Sequence, residues 1–474
     1  MGVARQTISP SRGGIAQVQS FHTPTRRFTP VFDEDHLVSA GGLPAVMGLA
    51  QRAGLADLLN ERLTVASPNA VVKTRALVTG MLAGADDIDG MDVLRSGGTA
   101  KVVGAVRAPS TLGTFLRSFT HGHTLQLGAI NRQLLANLAP RVPTLFGSDE
   151  LVMVDLDDTI REVHGYSKQA VAYGYNHVKG LNALVATIST EHTPPVIAGA
   201  QLRRGNIRSG GNAAWHAKRA LTVLRRVRPD ARVMGRADSA FCTCDFVHAF
   251  LDAGCWFSVT VPQWKTVTRA ISAIREEEWV GIHYPNAVFE EDTGEWISDA
   301  EVAEVPFTAF TSHTVSEHVT CRLVVRRVKR LNPKASPGQG ELFDTYRYHP
   351  FITNSTLPMV QADERHRGHA IIEQVMAELK GNALAHLPSG KFQANAAWLQ
   401  LAVLAFNISR AAAHAAGMNT ARMPTIRTRL IHVPARVATR SRRRFLHYPT
   451  HWPWQRQFMD LWGHATGSDP PLAA

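Results

Sequence analysis

Three aspartates interrupt an apolar run at residues 151–162, which read LVMVDLDDTIRE. Because side chains alternate along a strand, Asp155 and Asp157 share one face while Val154 and Leu156 share the other. Two carboxylates this close raise each other's pKa and destabilise the strand unless a cation lies beside them. The pattern favours a cation site, and the competing interpretation is a strand end that runs into an acidic loop.

Two more acidic residues stand in patterns that fit the same chemistry. Asp238, in RADS, falls at the C-terminal end of a predicted strand, where sites in open α/β sheets gather. An aspartate there can equally cap the next helical turn, so both interpretations stay open. Glu373 lies on a predicted helix with His366, His369 and Lys380 at steps of three, four and seven, which puts all four on one face.

Carboxylates on two strand ends and one helix form a suitable hard-oxygen site for Mg²⁺ or Mn²⁺. Such an ion takes a few carboxylates and leaves its other positions to water and phosphate oxygens. Two ions about 4 Å apart would activate a water or a 3′-hydroxyl on one side and stabilise the leaving oxygen on the other. The predicted chemistry is therefore phosphodiester hydrolysis and strand transfer.

The elements that must position these residues follow a clear order. Three strand patterns are followed by an amphipathic helix, a strand, a helix and a strand. These elements are read from LVMVDLD, GLNALVATIST, PVIAGAQLR, NAAWHAKRALTVLRRVR, ARVMGRAD, CDFVHAFLDAG and CWFSVTVP. RNase H-like nuclease cores use this order, so we predict an α/β fold with an RNase H-like mixed sheet flanked by helices.

The rest of the chain divides by pattern and composition. A helical stretch precedes the core, alternating and β-branched runs interrupt it, and helical periodicity then returns. The predicted parts are a flexible leader rather than a secretion signal (1–35), an all-helical DNA-end-binding domain (36–142), the first part of the core (143–263), a β-rich insertion (264–350), the second part of the core with the glutamate helix (351–418) and a basic C-terminal tail (419–474). The tail interleaves arginines with Trp452 and Trp454, which suits phosphate contact and base stacking, although a solvated basic face has the same pattern.

Charge and cysteine usage limit the class of protein. The 474 residues carry a net charge of +12 and a pI near 9.9, which favours a polyanionic partner. Only four cysteines occur, which argues for a reducing compartment, and Cys242 and Cys244 form at most half of a metal site because no second pair has matching spacing. We expect buried thiols instead. No stretch of about 18 uncharged apolar residues suggests a membrane span, so we expect a soluble protein.

Several motifs occur in a specific order after about residue 35. They are DLDDT with the following AYGYNHVKG, then LRRGN, RADSAF, IIEQVMAELK, FQANAAW and VPARVATRSRRRFLHYPTHWPW. In these motifs the chain resembles the DDE transposases of bacterial insertion sequences, most closely insertion-sequence family 1380. The resemblance implies an RNase H-like catalytic domain interrupted by a β-rich insertion, and cut-and-paste chemistry in which DNA ends are freed through hairpins.

The resemblance also implies site residues. Asp157, Asp238 and Glu373 would form the catalytic triad and hold one or two Mg²⁺ or Mn²⁺ ions, with Asp155 as a competing or additional ligand. Asp157 is favoured because the family has a D-x-T pattern, which Asp157 and Thr159 match.

DNA contacts are implied as well. A Y-x2-R-x3-E-x6-K signature of the family fits Glu373 and Lys380, whereas His366 and His369 stand where Tyr and Arg are expected. Histidine can still donate to phosphate. Trp296 is a candidate for stacking on a flipped base, although packing against the sheet is the commoner use of such a residue. The remaining candidate phosphate contacts are Lys179, Arg203, Arg204 and Arg208.

The implied partners are the terminal inverted repeats of a mobile element and its target DNA, bound by a homodimer on paired ends in the cytoplasm, at the nucleoid. Two alternatives remain: an RNase H-like nuclease that cuts without joining, and a decayed transposase that binds its element's ends and represses. A glycosidase with paired carboxylates is disfavoured because the chain is basic and only 7% aromatic.

Overall fold

The computed structural model describes residues 29–104, 106–164, 168–174, 176–282, 289–290, 295–296, 300–329 and 346–467. Residues Met1–Asp35 and His36–Ala474 are two separate compact units. In the first unit, residues 29–35 contain no helix or strand. The predicted division of the second unit into functional parts stays a prediction.

The second unit begins with a short strand and six helices, whose apolar residues recur at helical spacing. These elements are β1 (Leu37–Val38), α1 (Leu43–Arg52), α2 (Leu55–Arg62), α3 (Ala70–Ala83), α4 (Thr99–Val103), α5 (Pro109–Arg117) and α6 (His121–Leu138). Helix α5 begins at Pro109 with Ala108 at its N-cap. Proline is favoured at this first position because it has no N–H to leave unsatisfied.

Strands and helices then follow in the predicted order, apart from one extra two-residue strand. They are β2 (Leu151–Glu162), β3 (Ala172–Tyr173), β4 (Lys179–Ser189), β5 (Val196–Arg203), α7 (Ala213–Val227), β6 (Arg232–Ala237), α8 (Cys244–Leu251) and β7 (Trp256–Thr260). The long strands pair in the order β5-β4-β2-β6-β7. Strand β2 is antiparallel to β4 and parallel to β6, so the predicted mixed sheet is confirmed.

The segment predicted as an insertion adds its strands to this same sheet. Its elements are α9 (Lys265–Ser272), β8 (Val280–Ile282), β9 (Phe289–Glu290), β10 (Glu295–Trp296), β11 (Ala300–Ala309), β12 (Val319–Lys329) and β13 (Tyr346–Thr353). Strands β13, β12, β11 and β8 continue the sheet beyond β7, and every one of these pairings is antiparallel. Strands β9 and β10 pair with each other.

The chain then returns to helices before a final hairpin and helix. These elements are α10 (Met359–Arg367), α11 (Ile371–Lys380), α12 (Phe392–Ala415), α13 (Met423–Ile426), β14 (Ala435–Arg440), β15 (Arg443–His447) and α14 (Gln455–Thr466).

Helices cover both faces of the sheet. Helix α7 packs on β2, β4 and β5, and α11 packs on β2. Gln201 of β5 and Asp158 of β2 are both paired with Leu184 of β4, so they share a face of the sheet. On that face, Gln201 Oε1 lies 3.3 Å from His216 Nε2 of α7. Asp155, on the opposite face of β2, contacts His369 just before α11. The predicted flanking of the sheet by helices is therefore confirmed.

Helix α12 is the centre of the hydrophobic core. Within the described residues it alone is long and apolar enough to cross a membrane, but its apolar stretch is entirely buried in the protein. It packs against α3, α6 and β5. Burial in the core of the fold therefore accounts for the hydrophobicity of this helix.

Side-chain amides satisfy the outer edge of β5. Asn407 of α12 accepts a hydrogen bond from the Ile197 N–H and donates one to its carbonyl, each at 2.8 Å. Asn131 of α6 donates to the same carbonyl at 3.0 Å, and Gln400 donates to the Ala200 carbonyl at 2.6 Å. A buried edge strand has main-chain groups to satisfy, and these amides do so where a further strand would otherwise be required.

The C-terminal segment folds back onto the first helices. Strand β1 pairs with β14, which pairs with β15, and α14 packs against α1. Residue 42 must be glycine because a Cβ there would lie 1.6 Å from the Leu430 carbonyl oxygen. The Tyr448 hydroxyl donates to the Gly41 carbonyl at 2.9 Å. The predicted basic tail is thus an ordered part of the unit as far as residue 467.

Candidate active site

Asp157 and Asp238 are neighbours because of the register of two parallel strands. Strand β2 pairs with β6 from Leu151 to Leu156, and the last pair is Leu156 with Ala237. The next residue on each strand is an aspartate. Strand β2 does not end there, since its antiparallel pairing with β4 continues to Glu162. Asp157 therefore lies in mid-strand, at the point where the parallel partner stops.

Both carboxyls have raised pKa values. Burial raises the pKa of Asp157 to about 6, and the nearby Asp238 also raises it, against the opposing effect of His369. The pKa of Asp238 is likewise raised, chiefly by partial desolvation, although the residue is still accessible to solvent. Two such carboxyls resist being ionised together unless a cation is added. A pair of metal ligands is expected to have this property when no metal is bound.

Each aspartate also accepts a main-chain hydrogen bond. Asp157 Oδ1 accepts from its neighbour's N–H, that of Asp158, at 2.7 Å. Asp238 Oδ1 accepts from the Ala240 N–H at 2.9 Å and caps the 3-10 turn Ser239–Phe241. The two interpretations of Asp238 that its sequence position allows are therefore compatible, because capping uses one oxygen and leaves the other.

Glu373 is exposed in the first turn of α11. This helix packs on β2, and His369, four residues earlier, contacts Asp155 on the face that also carries Asp157. Among the residues that the structure describes, the clusters with ligand atoms within 4.8 Å of one another do not include Asp157, Asp238 and Glu373 together. The role of Glu373 as a third ligand therefore stays a prediction.

The surroundings of Asp155 argue against the predicted role as a metal ligand. It is fully buried, and Arg236 donates to both of its oxygens, from Nε at 2.7 Å and from Nη2 at 2.8 Å. His369 Nδ1 lies 2.9 Å from the same Oδ1. This pairing favours Asp157 over Asp155 as the metal ligand, because the charge of Asp155 is already compensated.

The surroundings of His366 argue against the predicted phosphate contact. Its ring nitrogens lie 2.9 Å from Ser258 Oγ and 3.0 Å from Thr260 Oγ1, and its ring stacks on Phe351 with centroids 4.1 Å apart. Burial lowers the pKa of His366 to about 3, so its ring is neutral. The residue packs α10 against the sheet. His369, by contrast, lies beside the carboxylates, where its contact with Asp155 fixes the ring.

Lys380 lies near the candidate site, at the end of α11. The pKa of Lys380 is lowered, mainly by burial and to a lesser extent by Arg161, while the charge of Asp157 has the opposite effect. Arg161 and Asp157 share a face of β2, since they are four residues apart. Lys380 is thus close enough to Asp157 for their charges to interact, which suits a phosphate group beside the aspartate.

The other candidate DNA contacts differ in exposure. Arg204, Arg208 and Lys179 are accessible to solvent, whereas Arg203 is buried, which favours a structural role for Arg203 over contact with DNA. Arg203 forms an ion pair with Asp158 and donates to Asn182 Oδ1 at 2.8 Å. The side chain of Trp296 lies outside the described residues.

Three residues with roles at the site are not recognisable from their own sequence motifs, namely Arg236, Asp158 and Arg161. A signal for Arg236 exists, because it stands two residues before Asp238 just as Asp155 stands two residues before Asp157. In parallel register, that equal offset pairs Arg236 with Asp155.

A cavity of about 460 Å³ lies beside α11 but does not include the three carboxylates. It is lined by residues such as Glu191, Arg365 and Gln374, and Arg365 pairs with Glu191 at 2.7 Å. Because it contains no pair of uncompensated carboxylates, the candidate catalytic groups remain those at the ends of the parallel pairing.

The donor set of Asp157, Asp238 and Glu373 fits Mg²⁺ or Mn²⁺. All the donors are carboxylate oxygens, which these ions prefer, and no thiol or imidazole belongs to the set. The raised pKa values of the two aspartates reflect burial and neighbouring negative charge, which a divalent ion would offset.

The protein has a mixed sheet with helices on both faces, and acidic residues lie at adjacent positions on two of its strands. These features define a class of α/β proteins whose sites lie where strands stop pairing. The chain belongs to the family described as transposase DDE domain group 1, whose profile matches residues 23–465. The predicted family of DDE transposases is thereby confirmed.

Comparison with curated proteins finds no match. Among solved structures, the chain is similar to the piggyBac transposase in its synaptic complex with hairpin DNA, determined by cryo-electron microscopy. The identity is 10%, the match covers 81% of this chain and 76% of that chain, and the TM-score is 0.38.

Proposed function

We propose that this transposase cuts and joins the ends of its insertion sequence by metal-dependent phosphodiester hydrolysis and transesterification, in a cut-and-paste reaction. The observation that carries the proposal is the placement of Asp157 and Asp238, side by side where β2 and β6 stop pairing, on the face covered by the helix of Glu373. Family membership supplies the reaction class.

The strand order supports an RNase H-like core. In the order β5-β4-β2-β6-β7, neighbours among the first three strands are antiparallel, whereas β6 and β7 run parallel to β2 and are connected through helices. This is the order expected of such nucleases. In this proposal the acidic residues occupy the central strand, its parallel neighbour and a helix that follows the inserted strands.

Each residue has a distinct role in the proposed reaction. Asp157, Asp238 and Glu373 hold the divalent ions, which supply activation of the attacking oxygen and stabilisation of the leaving oxygen. Lys380 and Arg161 bind the non-bridging oxygens of the scissile phosphate. His369 orients toward Asp155 and adds positive potential beside Asp157, which its effect on the pKa of Asp157 reflects.

The proposed path of DNA extends from the carboxylates along accessible cations. Lys179 lies beside the far end of β2, because its carbonyl accepts a hydrogen bond from the Val163 N–H. Val163 is six residues beyond Asp157, a distance of about 20 Å along a strand. Arg204 and Arg208 follow β5 at the same end of the sheet. These residues would contact phosphates away from the reacting one.

The helical part at residues 36–142 is proposed to bind the terminal inverted repeats, with two chains pairing the two ends at the nucleoid. The net charge of +12 supports a DNA partner. The presence of His366 where the family has tyrosine does not weaken the proposal of an active enzyme, because that residue serves packing here.

The test uses purified protein and a labelled duplex that carries the DNA flanking its own gene. Cleavage and joining are followed with Mg²⁺, with EDTA, and with the variants Glu373→Gln and Glu162→Gln. Glu162 is the matched control because it is exposed on β2 but on the opposite face from Asp157.

We expect nicked, hairpin or joined products from the wild type and Glu162→Gln with Mg²⁺ only. Cleavage without joined products would identify the nuclease alternative. A duplex that is bound and never cut, with Mg²⁺ present, would overturn the catalytic proposal and identify a repressor.

A further inference from the structure

A second cluster of metal-ligating side chains lies at the junction between α8 and the turn that joins β11 to β12. Its members are Cys244, His313 and Glu317, whose ligand atoms all lie within 4.8 Å of one another. Cys244 begins α8, while His313 and Glu317 belong to the turn. The cluster is separate from the carboxylates of the candidate active site.

The three ligand atoms converge on one point. Glu317 Oε1 lies 3.9 Å from Cys244 Sγ and 3.5 Å from His313 Nδ1. Zinc bond lengths in a tetrahedral site give separations of roughly 3.5 Å between sulfur and oxygen and roughly 3.3 Å between nitrogen and oxygen. Small movements of these side chains would therefore bring all three atoms to bonding distance of one ion.

The surroundings orient the ligands. Glu317 Oε2 accepts hydrogen bonds from the Thr314 hydroxyl at 2.6 Å and from the Thr314 N–H at 3.2 Å. These hydrogen bonds engage Oε2 of Glu317, so that Oε1 is the oxygen that faces Cys244 and His313. Hydrogen bonds of this kind, made to the ligands rather than to the ion, hold the ligands of metal sites in position.

A further histidine and an entry path lie next to the cluster. His248 is one turn after Cys244 on α8, and its Nε2 lies 3.3 Å from the Glu317 carbonyl oxygen. The side chains of His313 and Glu317 are 43% and 41% exposed, so solvent reaches the cluster directly. A cavity of about 500 Å³ is lined by Cys244 and His313.

We propose that Cys244, His313 and Glu317 bind one Zn²⁺ ion, with His248 or water in the fourth position. A mixed set of thiolate, imidazole and carboxylate selects Zn²⁺ over Mg²⁺. The ion would tie the β11–β12 turn to the segment that runs from Asp238 through the turn Ser239–Phe241 to α8. The site is thus a clamp between the added strands and the loop that carries the second aspartate.

Only half of this cluster is visible in the sequence. Cys242 and Cys244 resemble a half-site without a partner, and the residues that complete the cluster lie about 70 positions later, in a turn with no Cys/His spacing of its own. Cys242 is not a member of the cluster, and the pKa of its thiol is raised by burial and, second, by Cys321.

The experiment uses Co²⁺ as a spectroscopic probe of the full chain after treatment with a chelator. A Co²⁺ ion bound to thiolate gives a charge-transfer band in the near ultraviolet, which carboxylate-bound ions lack. The variants are Cys244→Ser and His313→Gln, with Cys255→Ser as the matched control, since Cys255 is a buried thiol that contacts Arg225 instead.

We expect one equivalent of Co²⁺ to produce the band in the wild type and in Cys255→Ser, with displacement by Zn²⁺ and none by excess Mg²⁺. The band should be lost in Cys244→Ser, and Co²⁺ affinity should fall more than about tenfold in His313→Gln. His313 is exposed, so its variant keeps the fold and preserves the test if Cys244→Ser is poorly folded.

Two results would overturn the proposal: no thiolate band in the wild type at saturating Co²⁺, or an equal band and affinity in His313→Gln. The readout is independent of transposition, because Asp157→Asn should leave the band unchanged. Failure of the clamp and failure of the proposed function are therefore distinguishable.

Discussion

The raised pKa values of Asp157 and Asp238 create a conflict between the stability of the fold and its proposed chemistry. The main chain places two carboxyls side by side, and burial raises the pKa of both. Without a cation, ionisation of the pair at neutral pH costs folding free energy. With a divalent ion, the same negative charge becomes the source of affinity.

We predict that Asp157→Asn makes the metal-free protein more stable by about 1–3 kcal/mol at neutral pH while abolishing DNA cleavage. The pKa of Asp157 is about 6 in the folded state and 3.8 as the ordinary value. The folded state therefore binds the extra proton, and wild-type stability falls as pH rises from about 4 to 6. Thermal unfolding across that range, in EDTA, measures the effect.

Thermal unfolding in the presence of Mg²⁺ tests whether Asp157 binds the ion. Mg²⁺ should raise the melting temperature of the wild type and of Glu162→Gln but not that of Asp157→Asn. Equal melting temperatures for wild type and Asp157→Asn in EDTA at neutral pH would contradict the assignment of a buried, destabilising carboxylate at this position.

Arg236 is predicted to be essential for stability rather than for DNA contact. Arg236→Met leaves Asp155 as a buried charge without its bidentate partner, and we expect a loss of about 3–5 kcal/mol in the free energy of unfolding. The double variant Arg236→Met with Asp155→Asn should recover part of that loss. Urea denaturation of both variants, with exposed Arg204→Ala as a control of unchanged stability, decides the point.

At this scale the sequence predicts residue types better than residue roles. Alternation along β2 places Asp155 and Asp157 on one face, as the structure has them. It does not identify the strand that lies alongside, so it does not reveal that Arg236 compensates Asp155. His366 shows the same limit, because a helical face identifies neighbours on the helix but not the hydroxyls of Ser258 and Thr260 opposite it.

At the scale of elements, the edge of β5 depends on side chains from two helices. The Asn407 amide satisfies both main-chain groups of Ile197, and it is fully buried. Helix α12 is therefore held in register with the sheet by hydrogen bonds as well as by apolar packing.

Asn407→Leu is predicted to reduce the free energy of unfolding by about 1–3 kcal/mol, because it leaves a buried N–H without its acceptor. Guanidinium denaturation measures the change. Asn60→Leu, at an exposed position of α2, is the control and should stay within about 0.5 kcal/mol of the wild type. A destabilisation by Asn407→Leu no larger than that of this control would show that the edge is satisfied in another way.

The order of elements follows from the periodicity of the sequence, whereas strand lengths and partners do not. The apolar pattern predicts that β2 ends at Asp157, but pairing with β4 extends it to Glu162. The β-rich character of residues 264–350 is evident, yet alternation does not identify a partner, and β13 pairs with β7 of the core. Long-range pairing is set by tertiary packing, which local patterns do not encode.

At the scale of the whole molecule, basic residues collect on the hairpin of β14 and β15. Its two-residue turn, Ser441 and Arg442, has φ values of 47° and 65°, as tight hairpins require. Arg440, Arg442 and Arg443 are exposed there. Trp452 and Trp454, also predicted to form a stacking surface, pack on each other with ring centroids 5.4 Å apart.

The double variant Arg440→Gln with Arg443→Gln is predicted to weaken DNA binding. The slope of log K against log salt should become shallower by about one for each phosphate that the hairpin no longer neutralises. The melting temperature should not change, because both side chains are exposed. Binding is measured by fluorescence anisotropy at several salt concentrations.

The control for the hairpin variant is Arg275→Gln, which also removes positive charge. The charge of Arg275 already pairs with Glu277 and Glu278, so its removal should leave DNA affinity and the salt slope close to those of the wild type. An equal weakening of binding in this control would refute a specific role for the hairpin.

The pairing of β1 with β14 has a consequence for the timing of synthesis. Leu37 aligns with Arg436, about 400 residues later, and ribosomes add roughly 5–20 residues each second. The first helices therefore wait some 20–80 seconds, as an order of magnitude, for the strand and the helix that complete their packing. A chain that stops before residue 435 lacks both, so truncated products cannot form the finished N-terminal surface, and only full translation delivers it.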